Sequence, residues 1–374
     1  MSSRKARFMV SIFLLALVYA FYRDHFVDKA VEPAPIVPAQ AKPVAVEEKK
    51  NLNQPKDDQF LDCRGMFEAL TDPKLVGAAK LTELSDDEEV LGLSVDGVHR
   101  AYPTRFIAWH HIVNDVINGQ PVAVSYCMIC NTGIAFDASV KNERYLFNVF
   151  GLYRGVLAMY SRDKSGKDTV WTHMDGVAVS GPEKGKELKA IPVINTTWGE
   201  WKRLHPDTTT PSWDTGFDKR TYQERIDSGK QAIPGMFWQT MKGLKDDRLP
   251  LNTLVLALRV DDQQRAYPYA ELKTAAGVVQ EVVGKTAVTV FFVEKTSTPA
   301  AFDSNLDGKL LEFVRHPTDA SLFVERASDS HFTVEGVCVE GKLKGRQLTR
   351  LNFLQSRWYG WSALFPQTTI FTVN

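Results

Sequence analysis

An excess of charge of either sign is absent from this 374-residue sequence, in which 45 lysines and arginines balance 45 aspartates and glutamates. Without net charge or a basic block, the chain lacks the electrostatic footprint of a nucleic-acid-binding protein, so we expect no nucleic-acid partner. The four cysteines are too few for a disulfide-dense scaffold, and the 18 prolines are too few for a collagen-like chain. The 44 % of hydrophobic residues is typical of a globular protein, and the length predicts roughly two domains.

Several common catalytic and cofactor motifs are missing as well. The sequence contains no P-loop, no Gly-x-Gly-x-x-Gly, no Gly-x-Ser-x-Gly and no Cys-x-x-Cys-His haem attachment site. The sequence therefore gives no indication of a nucleotide-binding, serine-hydrolase or haem protein of these types.

One long uncharged run, residues 8–22, lies near the N-terminus and follows three basic residues among the first seven. This order is typical of a secretory signal whose basic end stays in the cytoplasm. The run is shorter than the roughly 20 residues that span a bilayer, so both an anchor and cleavage near Ala20 stay open. We expect residues 1–28 to be an inner-membrane signal anchor with the body facing the periplasm, secretion after cleavage being the alternative. Residues 29–54, rich in Ala, Pro and charge, predict an extended linker.

Two parts of the chain resemble each other at an offset of about 165 residues. LGLSVDGVHRAYP at 91–103 matches LALRVDDQQRAYP at 256–268. TWGEWKRLHPDTT at 197–209 matches RWYGWSALFPQTT at 357–369. Matches this far apart predict two tandem diverged repeats of one unit, the second of them degenerate.

The repeated unit has the pattern of β-structure. Alternating segments are separated by Asp96-Gly97 and Asn118-Gly119, which are typical hairpin turns. Pro103 predicts the start of a short helix at 104–111. We expect an α+β fold, mainly antiparallel β. The expected parts of the body are a first unit at 55–213, a connector at 214–249 and a second unit at 250–374.

The repeat allows an internal comparison of the two units. Residues that both units share serve the fold, whereas polar residues held by one unit are candidates for a functional site. Cys127, Cys130, His110 and His111 all lie in the first unit, and Val, Thr, Ala and Gly stand at the matching positions of the second. We therefore expect the site in the first unit.

Cys127 and Cys130 form a Cys-x-x-Cys motif between two predicted strands. Two thiols at this spacing either close a disulfide ring or bind one metal ion. No helix start follows, unlike in a thioredoxin-like motif, where the helix dipole lowers a thiol pKa. A closed zinc site would need His110 or His111 as further ligands, and Met128 would suit copper(I). A static structural disulfide is the third alternative.

The adjacent histidines follow the predicted helix. Side chains of neighbouring helical residues diverge by about 100°, so we expect only one of the two to face the cysteines. An imidazolium would favour the thiolate, and a neutral ring would accept the thiol proton. We assign this role to His110.

Four further residues are candidates for binding a substrate: Tyr126, Asp115, Tyr153 and Arg154. The last two would present a phenol and a guanidinium to a small anion, although edge-strand roles are also open. Asp115 has an acidic counterpart in the second unit, which favours a structural role. A bridge between the two other cysteines, Cys63 and Cys338, also stays open.

The first unit resembles a bacterial family of uncharacterised proteins, number 3179 among the domains of unknown function. The matching segments are residues 100–103, 109–115, 121–137, 151–162 and 196–208. Two departures are His111, where the family usually has Glu, and Asn131, where it has Gly. Some members carry selenocysteine in the motif, so the resemblance implies a thiol whose reactivity matters.

The leading hypothesis is a membrane-tethered periplasmic thiol-redox protein, a candidate thiol oxidoreductase. Cys127 would attack, Cys130 would resolve, and His110 would accept the proton. One alternative is a copper or zinc module that uses Cys127, Cys130 and His110 or His111. The other is a non-catalytic envelope scaffold with structural cysteines. The sequence names neither a certain cofactor nor the redox or metal-delivery partner.

Overall fold

The computed structural model describes residues 59–141, 143–217, 222, 232–241 and 243–373. The expected anchor and linker lie outside these residues. In the described part of the chain, no helix is long and apolar enough to cross a bilayer. This part is mostly antiparallel β-structure with a few short helices, as the hairpin patterning predicts.

The described residues of 59–217, which we call the first half, contain two α-helices, one 3-10 turn at Ala78–Lys80 and most of the strands. The helices are α1 (Thr104–His110) and α2 (Trp198–Leu204). The strands are β1 (Phe60–Asp62), β2 (Leu70–Thr71), β3 (Leu75–Gly77), β4 (Glu89–Val95), β5 (Val98–Pro103), β6 (Ile112–Ile117), β7 (Gln120–Cys127), β8 (Thr132–Asp137), β9 (Ser139–Val140), β10 (Glu143–Arg144), β11 (Phe147–Tyr153), β12 (Val156–Arg162), β13 (Asp168–Thr172), β14 (Ala178–Ser180), β15 (Ala190–Ile191), β16 (Val193–Thr197) and β17 (Thr209–Pro211).

Residues 243–373, the second half, follow the short helix α3 (Gly235–Met241). Their helices are α4 (Tyr269–Thr274) and α5 (Trp358–Leu364). Their strands are β18 (Leu254–Val260), β19 (Gln263–Pro268), β20 (Val278–Val283), β21 (Thr286–Val293), β22 (Thr298–Asp303), β23 (Asn305–Leu306), β24 (Lys309–Leu310), β25 (Phe313–Arg315), β26 (Leu322–Glu325), β27 (Ser330–Thr333), β28 (Cys338–Glu340), β29 (Phe353–Arg357) and β30 (Thr369–Ile370).

The sheets of the two halves have corresponding strand orders. In the first half the orders are β16-β4-β5-β17-β3, β15-β8-β7-β6-β2 and β1-β11-β12-β13-β14. In the second half they are β29-β18-β19-β30, β20-β21-β22 and β25-β26-β27-β28. Neighbouring strands are antiparallel except β2 with β6, β5 with β17 and β19 with β30.

The predicted turns and the predicted helix form where the sequence places them. Asp96-Gly97 joins β4 to β5, and Asn118-Gly119 joins β6 to β7. All four turn residues have positive φ, as the tight hairpin turn that matches strand twist requires. Helix α1 follows Pro103 and ends at His110, because His111 takes a left-handed conformation with φ of 56°.

The tryptophans at matching positions of the two predicted repeats lie in the core. Trp198, Trp201, Trp358 and Trp361 are at most 1 % exposed. In each half, the indole N–H of the second tryptophan donates at 2.8 Å to the threonine hydroxyl seven residues later. The same bond therefore ties each short helix to the chain that follows it.

A buried ion pair joins strand β5 to strand β6 of the neighbouring sheet in the first half. Arg100 Nη1 and Tyr102 Oη donate to the same carboxylate oxygen of Asp115, at 2.7 and 2.6 Å. In the second half Arg265 pairs with Glu281 at 2.8 Å in the matching place. The Asp115 carboxylate is thus buried and engaged by the fold.

Each half covers a sheet of the other half. Strand β8 packs beside β29, and β22 packs beside β16. The hydrophobic cluster that contains Cys127 and Cys130 also contains Val255 and Trp358 of the second half. This exchange buries the turn between β7 and β8 at the junction of the two halves.

Arg100→Met tests the buried ion pair. It leaves the Asp115 carboxylate, 6 % exposed, without its cation, so we expect the free energy of unfolding to fall by about 3–5 kcal/mol. The matched control is Arg265→Met, whose pair is 19 % and 24 % exposed and should lose roughly 1 kcal/mol. Urea unfolding followed by tryptophan fluorescence measures both losses. If both variants lost the same free energy of unfolding, the Arg100–Asp115 pair would not be buried more deeply than the Arg265–Glu281 pair.

Candidate functional site

The Cys-x-x-Cys motif forms the turn between β7 and β8. Cys127 ends β7 and is joined to Cys130 by a disulfide, with the two Cα atoms 5.3 Å apart. Asn131 closes the turn in a left-handed conformation with φ of 49°, and its side-chain oxygen accepts the Tyr126 hydroxyl at 3.1 Å. No helix begins at the motif, so helix-dipole activation of a thiol is not available here.

Both sulfur atoms accept a hydrogen bond. The Cys130 N–H donates to Cys127 Sγ at 3.2 Å, and the Tyr359 hydroxyl donates to Cys130 Sγ at 3.4 Å. Donors at these positions favour negative charge on sulfur once the disulfide is opened. Burial opposes that charge, because Cys127 is 3 % exposed and Cys130 is 0 % exposed.

The second half of the chain covers Cys130 with the beginning of helix α5. The Arg357 N–H donates to the Cys130 carbonyl at 2.8 Å. Gly360 approaches so closely that a Cβ there would lie 2.8 Å from Met174 Cε and 3.7 Å from Cys130 Cβ. The buried Arg357 guanidinium reaches the Asn252 side-chain oxygen at 3.4 Å. The cysteine site is therefore built from both halves.

Sequence reasoning misses Arg357 and Tyr359, because it looks for the site in the first unit alone. Their signal is nevertheless present in the internal alignment, where Thr197 and Gly199 stand at the matching positions. Polar residues that only the second unit holds are as informative as those that only the first unit holds. Burial raises the pKa of the Tyr359 hydroxyl, so it stays protonated and able to donate.

His173 is a second polar residue near the motif that sequence reasoning does not include in the site. It is fully buried, and its Nε2 contacts the Thr132 carbonyl at 3.1 Å, so Nε2 carries the proton and Nδ1 accepts the Ser125 hydroxyl at 3.0 Å. Burial lowers the pKa of His173 to about 3, so the ring is neutral. In the second half, Phe291 stands at the position that matches Ser125, and Val334 at the position that matches His173.

The adjacent histidines diverge, as expected of neighbouring residues. His110 Nδ1 contacts the Glu68 carbonyl at 2.9 Å and Nε2 contacts the Tyr222 hydroxyl at 2.6 Å, so neither nitrogen is directed at a cysteine. His111 Nδ1 donates to the Tyr126 carbonyl at 3.1 Å, one residue before the motif. Burial lowers the pKa of His111 to about 4. His111, rather than His110, is the histidine beside the motif strand.

The candidate substrate-binding residues Tyr153 and Arg154 lie on another sheet. Tyr153 packs with Ala158 and Val170, in a cluster separate from that of the cysteines. Arg154 Nε donates to the Gln59 side-chain oxygen at 3.1 Å. The structure therefore brings Tyr126 to the motif but places these two residues elsewhere.

Two further findings concern sulfur and metal ligands. Cys63 and Cys338 are both free thiols, so the bridge considered between them is not formed. The Cys338 thiol instead donates to the Glu340 carbonyl at 3.1 Å. Among the residues that the structure describes, no three His, Cys, Asp or Glu side chains are grouped to hold a metal ion.

His173→Gln tests whether this histidine is buried in its neutral form. Its folded pKa of about 3 lies below the unfolded value of about 6.5, so the unfolded chain binds the extra proton as the pH falls. The stability from the neutral ring is present above pH 6.5 and is lost toward pH 3. The variant should lose stability between pH 6 and pH 4 less steeply than the wild type, by up to about 1.4 kcal/mol per pH unit.

The measurement is the urea midpoint as a function of pH. His331→Gln, which changes a partly buried histidine beside Glu340, is the control and should keep the wild-type slope. An unchanged slope in His173→Gln would show that the ring is not buried neutral.

Comparison with known proteins identifies a family. The family model described as "Protein of unknown function (DUF3179)" matches residues 65–368. The match includes the β7–β8 turn and helix α5, so it extends across both halves. No curated protein and no solved structure matches the chain significantly. Since the matched residues make up most of the sequence, the chain belongs to the DUF3179 family.

Proposed function

We propose that Cys127 and Cys130 are a redox-active pair and that the protein is a thiol oxidoreductase. The observation that carries the proposal is the hydrogen-bond donor at each sulfur: a backbone N–H at Cys127 and the Tyr359 hydroxyl at Cys130. These donors stabilise thiolates more than they stabilise a disulfide. A disulfide that only stapled the turn would need neither donor.

The exchange reaction starts at Cys127, the less buried of the two residues. The thiolate of an external dithiol attacks Cys127 Sγ, and the Cys127–Cys130 bond breaks. Cys130 leaves as a thiolate that accepts the Tyr359 hydroxyl. The second thiol of the donor then attacks the mixed disulfide at the donor's own sulfur and releases Cys127. Two electrons pass to this protein, and the donor leaves as a disulfide. The proton of the donor's second thiol goes to Cys127, and Cys130 takes up from solvent the proton that the attacking thiol had released there.

The reverse direction gives each cysteine the role expected from the sequence. Cys127 attacks a disulfide in the partner, and Cys130 resolves the mixed disulfide. The charge on sulfur is stabilised by the Tyr359 hydroxyl and a backbone amide rather than by His110, whose two nitrogens bind elsewhere.

The proposal includes the cellular setting that the sequence predicts. An N-terminal anchor would hold the body in the periplasm, an oxidising compartment in which disulfides persist. The corresponding strand orders of the two halves support a tandem duplication in which the second unit lost the cysteines. In exchange, the second unit supplies Arg357 and Tyr359 to the retained site.

A static structural disulfide is the second candidate, and the burial of both sulfurs favours it. A buried disulfide exchanges only if the covering helix moves far enough to admit a thiolate. The two candidates therefore differ in one property, which is reduction of the pair in the folded protein.

Redox titration of the full chain distinguishes them. The protein is equilibrated in dithiothreitol buffers, quenched with an alkylating agent and mapped by mass spectrometry, while circular dichroism follows the fold. We expect reversible conversion of the pair with the fold retained, and Cys130→Ser should accumulate mixed disulfides at Cys127. The control Cys63→Ser should behave as wild type. Reduction only after urea unfolding would refute the redox proposal and establish the structural one.

Tyr359→Phe tests the donor at Cys130. Removing the hydroxyl destabilises the reduced form, so the reduction potential should become more negative by about 10–30 mV, equivalent to one hydrogen bond of roughly 0.5–1.5 kcal/mol. The matched control is Tyr269→Phe, which loses a bond to Gln355 and no bond to sulfur. An unchanged potential in Tyr359→Phe, or an equal shift in both variants, would contradict the role of the hydroxyl.

A further inference from the structure

A cavity of about 220 Å³ lies at the seam between the two halves. Its wall is formed by residues 190–193 of the first half and residues 350–353 of the second, with Gly133 and Ile134 of β8 between them. The two segments occupy corresponding places, because each precedes or begins the strand that pairs with the first hairpin of its half. The cavity thus lies between corresponding segments of the two halves.

One charged side chain breaks this correspondence. Arg350 lines the cavity from the second half, and the matching residue of the first half is Ala190. The Arg350 Nη2 donates to the Val193 carbonyl across the seam, and its guanidinium lies 4.5 Å from the centre of the Phe353 ring. Because the Ala190 side chain is small, space remains beside the Arg350 side chain.

One carboxylate, that of Glu335, is near enough to raise the pKa of Arg350, but it contacts His205 at 2.9 Å and makes no ion pair with the arginine. Among the residues that the structure describes, no carboxylate pairs with it, whereas nearby Arg259 pairs with Glu187 at 3.6 Å. The Nε and Nη1 atoms of Arg350 have no hydrogen-bond acceptor among the residues that the structure describes, so they can donate to a ligand. Burial lowers the pKa of Arg350 to about 10, so the side chain is still charged at neutral pH. An unpaired, partly buried cation is costly unless an anion compensates it.

We propose that this cavity binds a small organic monocarboxylate, whose carboxylate pairs with Arg350 and whose apolar body packs against the walls. A guanidinium N–H that is still free forms a short, charge-assisted hydrogen bond with a carboxylate. The rest of the lining combines aliphatic side chains such as Ile134, Ile191 and Leu351 with the Asn352 amide and contains no second charged side chain, which suits a small acid with a single charge. The site is independent of the redox proposal, because it uses neither cysteine.

Isothermal titration of the full chain with sodium benzoate or propionate tests the site, with sodium chloride of equal ionic strength as the reference. We expect saturable binding to the wild type that weakens about tenfold or more in Arg350→Gln. Ala190→Leu fills the cavity while it leaves the Arg350–Val193 bond in place, and it should abolish binding in a folded protein. Arg346→Gln, which removes a surface arginine paired with Asp307, should bind as wild type.

Several outcomes would overturn the proposal. Failure of both carboxylates to bind the wild type above the chloride reference would remove the site. Wild-type affinity in folded Ala190→Leu or Arg350→Gln would place binding elsewhere. Inorganic phosphate, titrated in parallel, should bind more weakly than benzoate, and tighter phosphate binding would refute the carboxylate assignment.

Discussion

The contact on which the cysteine site depends is made between distant parts of the chain. The Arg357 amide, in the second half, donates to the carbonyl of Cys130 in the first. Around this bond, β8 packs beside β29, and in return β22 packs beside β16. The two halves share two hydrophobic clusters, and the motif turn is buried in one of them.

This exchanged packing explains why corresponding positions of the two halves differ. Where the first half has Cys130 and His173, the second has Thr296 and Val334. Where the first has Gly199, the second has Tyr359, whose hydroxyl reaches the Cys130 sulfur. The halves meet at two corresponding junctions. The polar groups of both halves are concentrated at the junction that contains Cys130, and the other junction is packed with aromatic rings such as Phe291.

Local patterns account for most of the fold, and long-range contacts account for what the sequence did not reveal. The β4–β5 and β6–β7 hairpins follow from their turn residues and alternation, and α1 from its proline. The orientation of His110, by contrast, is set by the Tyr222 hydroxyl 112 residues later, which no local pattern indicates. Placing Tyr359 at Cys130 likewise requires the packing of the halves, which no local pattern encodes.

The central claim is that Cys127–Cys130 is a disulfide that opens in the folded protein. The most direct measurement is a thiol count on the purified full chain, prepared without metal or reductant, before and after mild reduction, with bound metal assayed on the same sample. The account predicts that the two free thiols, Cys63 and Cys338, are joined by two more on reduction while the fold persists and no stoichiometric metal is found. Near one equivalent of copper or zinc, lost in Cys127→Ser, would contradict it, as would a count that rises only on unfolding.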